Sequence, residues 1–285
     1  MSLTLRRRAS TGMPVDGSPI RPETFRGRPS SDAARIPLRI GDGTAELGEL
    51  FDVEGDAADG RLVVEGDLAD VSAIGRGMSS GTLIVRGDVG HRFAAEMSGG
   101  VADLDGSCRD WAGAEMSGGL LRIRGSAGDG LAAAFPGSRR GMREGVVLVG
   151  GDAGADVGLM MRRGLIAVRG SVGPLLGRAM IAGTIFACGA VGASPGVGMK
   201  RGTLVLPGLD GDPSALLPPT FAPAGGFIFP YLKLYQDLLA SHGFVLPSEV
   251  SSARFDRYNG DLAGGGQGEI LAPSPRPALR VVSPT

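Results

Sequence analysis

Apolar and polar positions along this chain alternate in a pattern that returns every 19 residues. Gly81, Gly100 and Gly119 are spaced by 19, as are Gly145, Gly164, Gly183 and Gly202. The 26-residue step from Gly119 to Gly145 is one repeat plus a seven-residue insertion, placed around 136–142. An earlier copy starts at Gly60, and a second glycine stands six residues into each copy, from Gly66 to Gly208. Two residues past the leading glycine, the column reads Leu62, Leu83, Ala102, Leu121, Val147, Ile166, Ile185, Leu204. Four past it, the column reads Val64, Val85, Leu104, Ile123, Val149, Val168, Ala187, Leu206. Alternation at period two describes a strand with one face turned inward. Beyond the second glycine follow a small apolar column from Leu68 to Val191 and a methionine column: Met78, Met97, Met116, Phe135, Met161, Met180, Met199.

Short strands returning at a fixed interval, like residue over like residue, describe a solenoid. The prediction is an all-β protein, a right-handed parallel β-helix of about seven to eight 19-residue coils. Successive coils would lie about 4.8 Å apart, and each buried aliphatic side chain contributes roughly 1.5–2 kcal/mol before entropy is counted. The leucine-rich signature and the six-residue beat of left-handed β-helices are both missing from the repeat. Three segments follow: an extended N-terminal arm over 1–35, the β-helix over 36–208, and a C-terminal tail over 209–285 with one helix near 231–242. Leu50–Gly55 reads as a partial starting coil. In the helix Tyr231, Leu234, Tyr235, Leu238 and Leu239 share a face. Asn259-Gly260 reads as a turn.

Two further columns refine the surface. The fifth position runs Glu65, Arg86, Asp105, Arg124, which predicts an external ladder of alternating charge. The third position, outward by the same alternation, ends in Leu148, Ala167, Phe186, Val205. An apolar strip of that length calls for a cover, either the tail or a partner.

Composition adds mostly exclusions. Net charge is −1 over 285 residues, which gives no electrostatic case for nucleic acid or a membrane. Apolar runs are too short to span a bilayer, and no signal core follows Arg6-Arg7-Arg8, so the expected compartment is the cytoplasm. Gly, at 50 residues, supplies the turns, and aromatics are only 5%. Cys108 and Cys188 lie in different columns about four coils apart and cannot bridge. His91 and His242 are isolated. The glycine pairs lack the following helix and the Gly-Lys-Ser/Thr of a phosphate loop. No nucleophile, acid–base set or metal cage emerges, so no catalytic residue and no metal ligand is assigned. A β-helix lyase would need clustered carboxylates or histidines along an outward groove, and the outward columns lack them.

One cluster stands out. Met161-Arg162-Arg163-Gly164 and Met199-Lys200-Arg201-Gly202 place two cations at the same corner of two coils, with Ile181-Ala182 between them. The insertion adds Arg139, Arg140 and Arg143. Stacked corners bring these seven residues onto one edge as a candidate contact for an anion or an acidic partner.

The repeat Gly-x-x-Gly-x-x-x-Gly-x-x-Met-x-x-Gly stands at Gly170, Gly173, Gly177, Met180, Gly183, and recurs from Gly151 and from Gly189. It resembles the Gly-rich β-helix shared by the C-terminal domain of glutamate synthase and the C subunit of formylmethanofuran dehydrogenase. Tyr258-Asn259-Gly260-Asp261 and the later Gly268-Glu269-Ile270 resemble that C subunit more closely. The resemblance covers about 40–270. It implies a structural subunit, not an enzyme by itself, in a complex whose chemistry lies on other chains. One such complex is the formyltransferase/hydrolase of methylotrophs, which moves a formyl group from tetrahydromethanopterin to a methanofuran-type carrier and releases formate. The other is a tungsten or molybdenum formylmethanofuran dehydrogenase of methanogens. The Arg-rich, Lys-poor composition favours the former. A detached glutamate-synthase-like domain serving an amidotransferase is the remaining alternative. The expected partners are the other subunits. No cofactor is expected to be bound catalytically, and the seven cations would meet either an acidic surface of a partner or the glutamate-containing tail of the carrier.

Overall fold

The structure, a computed structural model, describes residues 2–10 and 12–274. Its strands are β1 Leu3–Arg7, β2 Val15–Asp16, β3 Pro37–Ile40, β4 Gly43–Glu46, β5 Phe51–Glu54, β6 Arg61–Glu65, β7 Val71–Ser72, β8 Thr82–Arg86 and β9 Val101–Asp105. They continue with β10 Ser117–Ile123, β11 Glu144–Val149, β12 Leu165–Val168, β13 Thr184–Ala187, β14 Arg201–Val205, β15 Ala222–Ile228, β16 Arg254–Gly260 and β17 Gln267–Pro273. The α-helices are α1 Pro22–Phe25, α2 Ser30–Ala33, α3 Leu47–Leu50 and α4 Leu232–Ser241.

The 19-residue repeat builds one parallel ladder, β6-β8-β9-β10-β11-β12-β13-β14, within a 13-stranded sheet. Register is strict: Leu62, Leu83, Ala102, Leu121, Val147, Ile166, Ile185 and Leu204 are successive partners. Every member of that column is fully buried. A second line of parallel bridges joins Leu68, Val89, Cys108, Ala127, Ala153, Val172 and Val191, so each coil touches the next on two sides.

Methionine and glycine repeat together because they occupy one space. Gly164, Gly183 and Gly202 have φ of +106°, +113° and +101°, and a Cβ on them would lie 2.7–2.8 Å from Cε of Met142, Met161 and Met180. The methionine of one coil thus fills the hollow left by the leading glycine of the next. This corrects one member of the predicted column: Met142, fully buried, takes the place assigned to Phe135, which is half-buried. The insertion is therefore Phe135–Gly141, and it bulges from the corner before the column resumes.

The flanks differ most from expectation. The predicted extended arm over 1–35 is folded: β1 pairs parallel with β6 and places Leu3 on Leu62 and Leu5 on Val64, ahead of the first repeat. The predicted starting coil is β5, antiparallel to β1, and β3–β4 is a hairpin in a separate four-stranded sheet with β2 and β7. At the other end β17, from the tail, stacks on β14 with Ile270 on Leu204. Asn259 and Gly260 lie in β16, paired with Glu269 and Gly268, not in a turn. Positions 275–285 of the expected tail lie outside the described residues.

The apolar strip is covered by the chain itself. Leu148, Ala167, Phe186 and Val205 form a second core with Leu232, Leu239, Phe244, Leu246, Val250, Phe255 and Leu271. Helix α4 docks through Leu232, Tyr235 and Leu239, whereas Leu234 and Leu238 of the predicted face are exposed.

Candidate functional site

The corner after each methionine is set by one backbone bond. The amides of Arg143, Arg162, Ile181 and Lys200 donate to the methionine carbonyls of the preceding coils, Met116, Met142, Met161 and Met180, at 2.7–2.8 Å. These four residues therefore stack in one column, and Glu144, Arg163, Ala182 and Arg201 stack in the next. Arg143 and Arg162 are on adjacent coils, about 4.8 Å apart along the stack. Lys200 is two coils beyond Arg162. The insertion folds back onto the same edge, where Arg162 Nη2 donates to the Arg139 carbonyl at 3.2 Å. All seven cations are exposed. Arg201 donates to Gln267 Oε1 at 2.9 Å. Among the described residues no carboxylate lies within 4.0 Å of any of the seven. Glu144 is the one acidic member of the two columns.

The remaining conspicuous residues fall elsewhere. The external charge ladder forms as separate pairs, Arg86–Glu65 at 3.2 Å and Arg124–Asp105 at 3.7 Å, and Arg6 extends it to Glu65 at 2.9 Å. Cys108 is buried and its thiol is pushed up to about 12 by desolvation. Burial likewise raises Cys188 to about 11, with Arg169 pulling the other way. Neither is a thiolate near neutral pH. His91 Nδ1 lies 3.4 Å from Asp110, and His242 closes α4. No group of three or more metal-ligating side chains occurs among the described residues.

Sequence reasoning missed three features. Arg7 is buried against Asp70 at 3.0 Å, under a coil edge that its neighbours Arg6 and Arg8 leave for solvent. Glu23 accepts from the amides of Ser79 and Ser80 and from the Ser79 hydroxyl, fastening α1 to a corner. A groove of about 680 Å³ runs between the β3–β4 hairpin and the coil corners, lined by Arg39, Arg76, His91, Arg92 and Trp111 among others. Each depends on where the folded arm lands, which no local pattern encodes.

The molecule is a ladder of stacked parallel strands with a row of exposed cations along one edge, extended at its two ends by β1 and β17 of its own flanks. No family model matches the chain. Over 81 residues it is 33% identical to the C subunit of the tungsten-containing formylmethanofuran dehydrogenase 2 of Methanothermobacter wolfeii, 27% of this chain and 30% of that protein. Over 90 residues it is 35% identical to the C subunit of the formyltransferase/hydrolase complex Fhc of Methylorubrum extorquens, 32% of this chain and 34% of that protein. The matched segments thus span about a third of those relatives' lengths. Structural likeness is far wider. A chain in the crystal structure of the formyltransferase/hydrolase complex FhcABCD from Methylorubrum extorquens, in complex with methylofuran, superposes with a TM-score of 0.87 at 33% identity, over 95% of this chain and 100% of that one. The chain belongs to the family formed by the C subunits of the formylmethanofuran dehydrogenases and of the Fhc complex.

Proposed function

We propose that this chain is a non-catalytic structural subunit of a formyltransferase/hydrolase complex, and that its backbone is a right-handed parallel β-helix. The observation that carries the role is the likeness to a chain of the Fhc complex over 95% of the sequence. The parallel register supports that handedness, since parallel crossovers are right-handed in about 98% of cases. In this reading the partners are the subunits that carry the formyl chemistry. The isolated chain should show no formyl transfer and no hydrolysis, and a turnover abolished by a point substitution in it would overturn the reading. Purification of the native chain should bring down the other subunits. A tungsten or molybdenum dehydrogenase complex is the second reading, favoured by the match to the corresponding subunit of the tungsten enzyme. The metal content of what co-purifies decides between the two.

The cationic edge of Arg139, Arg140, Arg143, Arg162, Arg163, Lys200 and Arg201 is the contact for an acidic group. Like charges held side by side with one glutamate among them favour a counter-anion, and guanidinium–carboxylate contacts are charge-assisted and often bidentate. Two occupants fit: an acidic surface of a partner, or the glutamate-containing tail of a methanofuran-type carrier. Charge reversal of Arg162, Arg163 and Arg201 together distinguishes them. Loss of carrier alone assigns the tail, loss of a partner protein assigns the interface, and no change removes both.

A further inference from the structure

The outer face of the coils carries a second cationic feature, away from the corner edge and independent of the role proposed above. The fifth position of the repeat runs Arg124, Gly150, Arg169 on three successive coils. Their amides donate to Leu104, Ile123 and Val149 of the strands, at 2.8–2.9 Å, which holds the three in equivalent places. Gly150 therefore leaves a notch between two arginines roughly 9.6 Å apart along the stack, two coil spacings. The neighbouring outward column borders the notch with Asp103 and Arg122, paired in register with each other and then with Leu148. The turn after α4 roofs it. The result is a cavity of about 230 Å³ lined by Asp103, Arg122, Arg124, Arg169, His242 and Phe244, together with Leu148 and Gly150.

Three guanidiniums meet a single lining carboxylate. Arg122 Nε lies 2.6 Å from Asp103 Oδ1, but the contact is poorly aligned and leaves that buried nitrogen without a hydrogen bond. Asp105, the partner of Arg124, stands 3.7 Å away and outside the cavity wall. Arg169 has no carboxylate within 4.0 Å among the described residues. Instead its guanidinium sits 4.8 Å over the Phe244 ring and donates to the Val245 carbonyl at 3.3 Å. Held by a ring and one acceptor, it keeps further N–H groups for a ligand. The carbonyls at the end of α4 would repel an anion, but those of Leu239 and Ala240 are taken up by the amides of His242, Gly243 and Phe244.

We infer that this notch binds a small oxyanion, a phosphate or the carboxylate of a small diacid. Its volume falls below the roughly 300–1,000 Å³ of sites for drug-sized organic ligands, and its polar groups are donors in excess. Calorimetric titration of the full chain at low ionic strength, with inorganic phosphate and separately with glutarate, tests it. Saturable binding of at least one anion is expected. Arg169→Gln and the exposed-site variant Arg124→Gln should each weaken it about tenfold, the loss of one charge-assisted contact. Arg86→Gln, in the same column but outside the cavity, should leave it unchanged, with circular dichroism verifying that all three variants fold. Phosphate binding alone assigns the phosphate, and glutarate binding alone assigns the carboxylate. No saturable binding of either anion, binding unaffected by both pocket variants, or binding weakened equally by Arg86→Gln overturns the site.

Discussion

At the scale of single residues, the repeat is a steric contract between a methionine and a glycine one coil on. Gly164→Ala would force an alanine to φ near +106° and set its Cβ against Met142 Cε and the Gly145 carbonyl. A cost of about 1–3 kcal/mol is expected from overpacking together with the left-handed backbone. Denaturant unfolding checks it through a lowered midpoint at unchanged slope. The left-handed region is also imposed on side-chain-bearing residues: Arg92, Ala94 and Glu96 in one coil, and Trp111 and Glu115 in the next. Their amides alternate in direction, Arg92 and Glu96 donating to the following coil and Ala94 to the preceding one. The corner thereby satisfies neighbours on both sides, and the hydrogen bonds hold a backbone that most residues avoid. For the thiols, burial sets the expectation. Cys108 in the folded chain should resist alkylation at pH 8 and react once denatured, and rapid native-state labelling would contradict the packing described here.

At the scale of elements, the tail is a lid on the coils as well as an extension of the sheet. Phe186 is fully buried, with its ring 5.7 Å from Tyr235, and Thr184 Oγ1 bonds the Tyr235 hydroxyl at 3.1 Å. Phe186→Asp would place an unpaired charge in that dry contact and is expected to cost upward of about 3 kcal/mol. Unchanged thermal stability in that variant would mean that α4 does not seal the strip. Two carboxylates fasten the flanks to coil corners, Glu23 on Ser79 and Ser80, and Asp261 on Gly198, while Asp261 also caps its own turn at Ala263. Burial by itself would raise both carboxyls, but the donated hydrogen bonds outweigh it and hold each below the usual carboxylate range. A depressed carboxyl stabilises the fold above its unfolded pKa, and that contribution fades as pH falls through the carboxylate range. Stability should therefore drop on acidification, and Glu23→Gln should flatten part of that slope. An identical pH profile in the variant would show that the anchor carries no charge-dependent stability.

At the scale of the whole molecule, stacking converts sequence distance into proximity. Arg143, Arg162 and Lys200 are separated by 19 and 38 residues in turn, and the corner bonds set them on one edge. Contacts made by such exposed cations weaken as salt rises, with a screening length of about 8 Å at physiological ionic strength. If the edge holds an acidic partner, assembly should weaken with added salt in the native chain, and less so after charge reversal of Arg162, Arg163 and Arg201. Equal salt dependence in both would place the contact elsewhere.

How much of this was readable depended on range. The inward columns, the Gly and Met spacings and the seven-residue insertion are local periodicities, and a strand's alternation fixes which side chains face in. With the 19-residue interval they determined the coil, its register and the stacking of the cations on one edge. The sequence also flagged Leu148, Ala167, Phe186 and Val205 as an outward strip that had to be covered. It named two candidate covers, the tail and a partner, and could not choose between them; the fold chose α4, which docks through Leu232 and through Tyr235 and Leu239 of the predicted face while Leu234 and Leu238 stay exposed. Tertiary structure alone decided that Leu3 and Leu5 open the ladder, that Ile270 continues it past Leu204, and that Met142 displaces Phe135 from the core. It likewise decided that a turn distant in the chain, at His242 to Phe244, roofs the notch at Gly150. Edge strands carry no periodic signal of their own. They go where an open row of amides and carbonyls and an uncovered apolar column remain, and only the finished stack shows where those are.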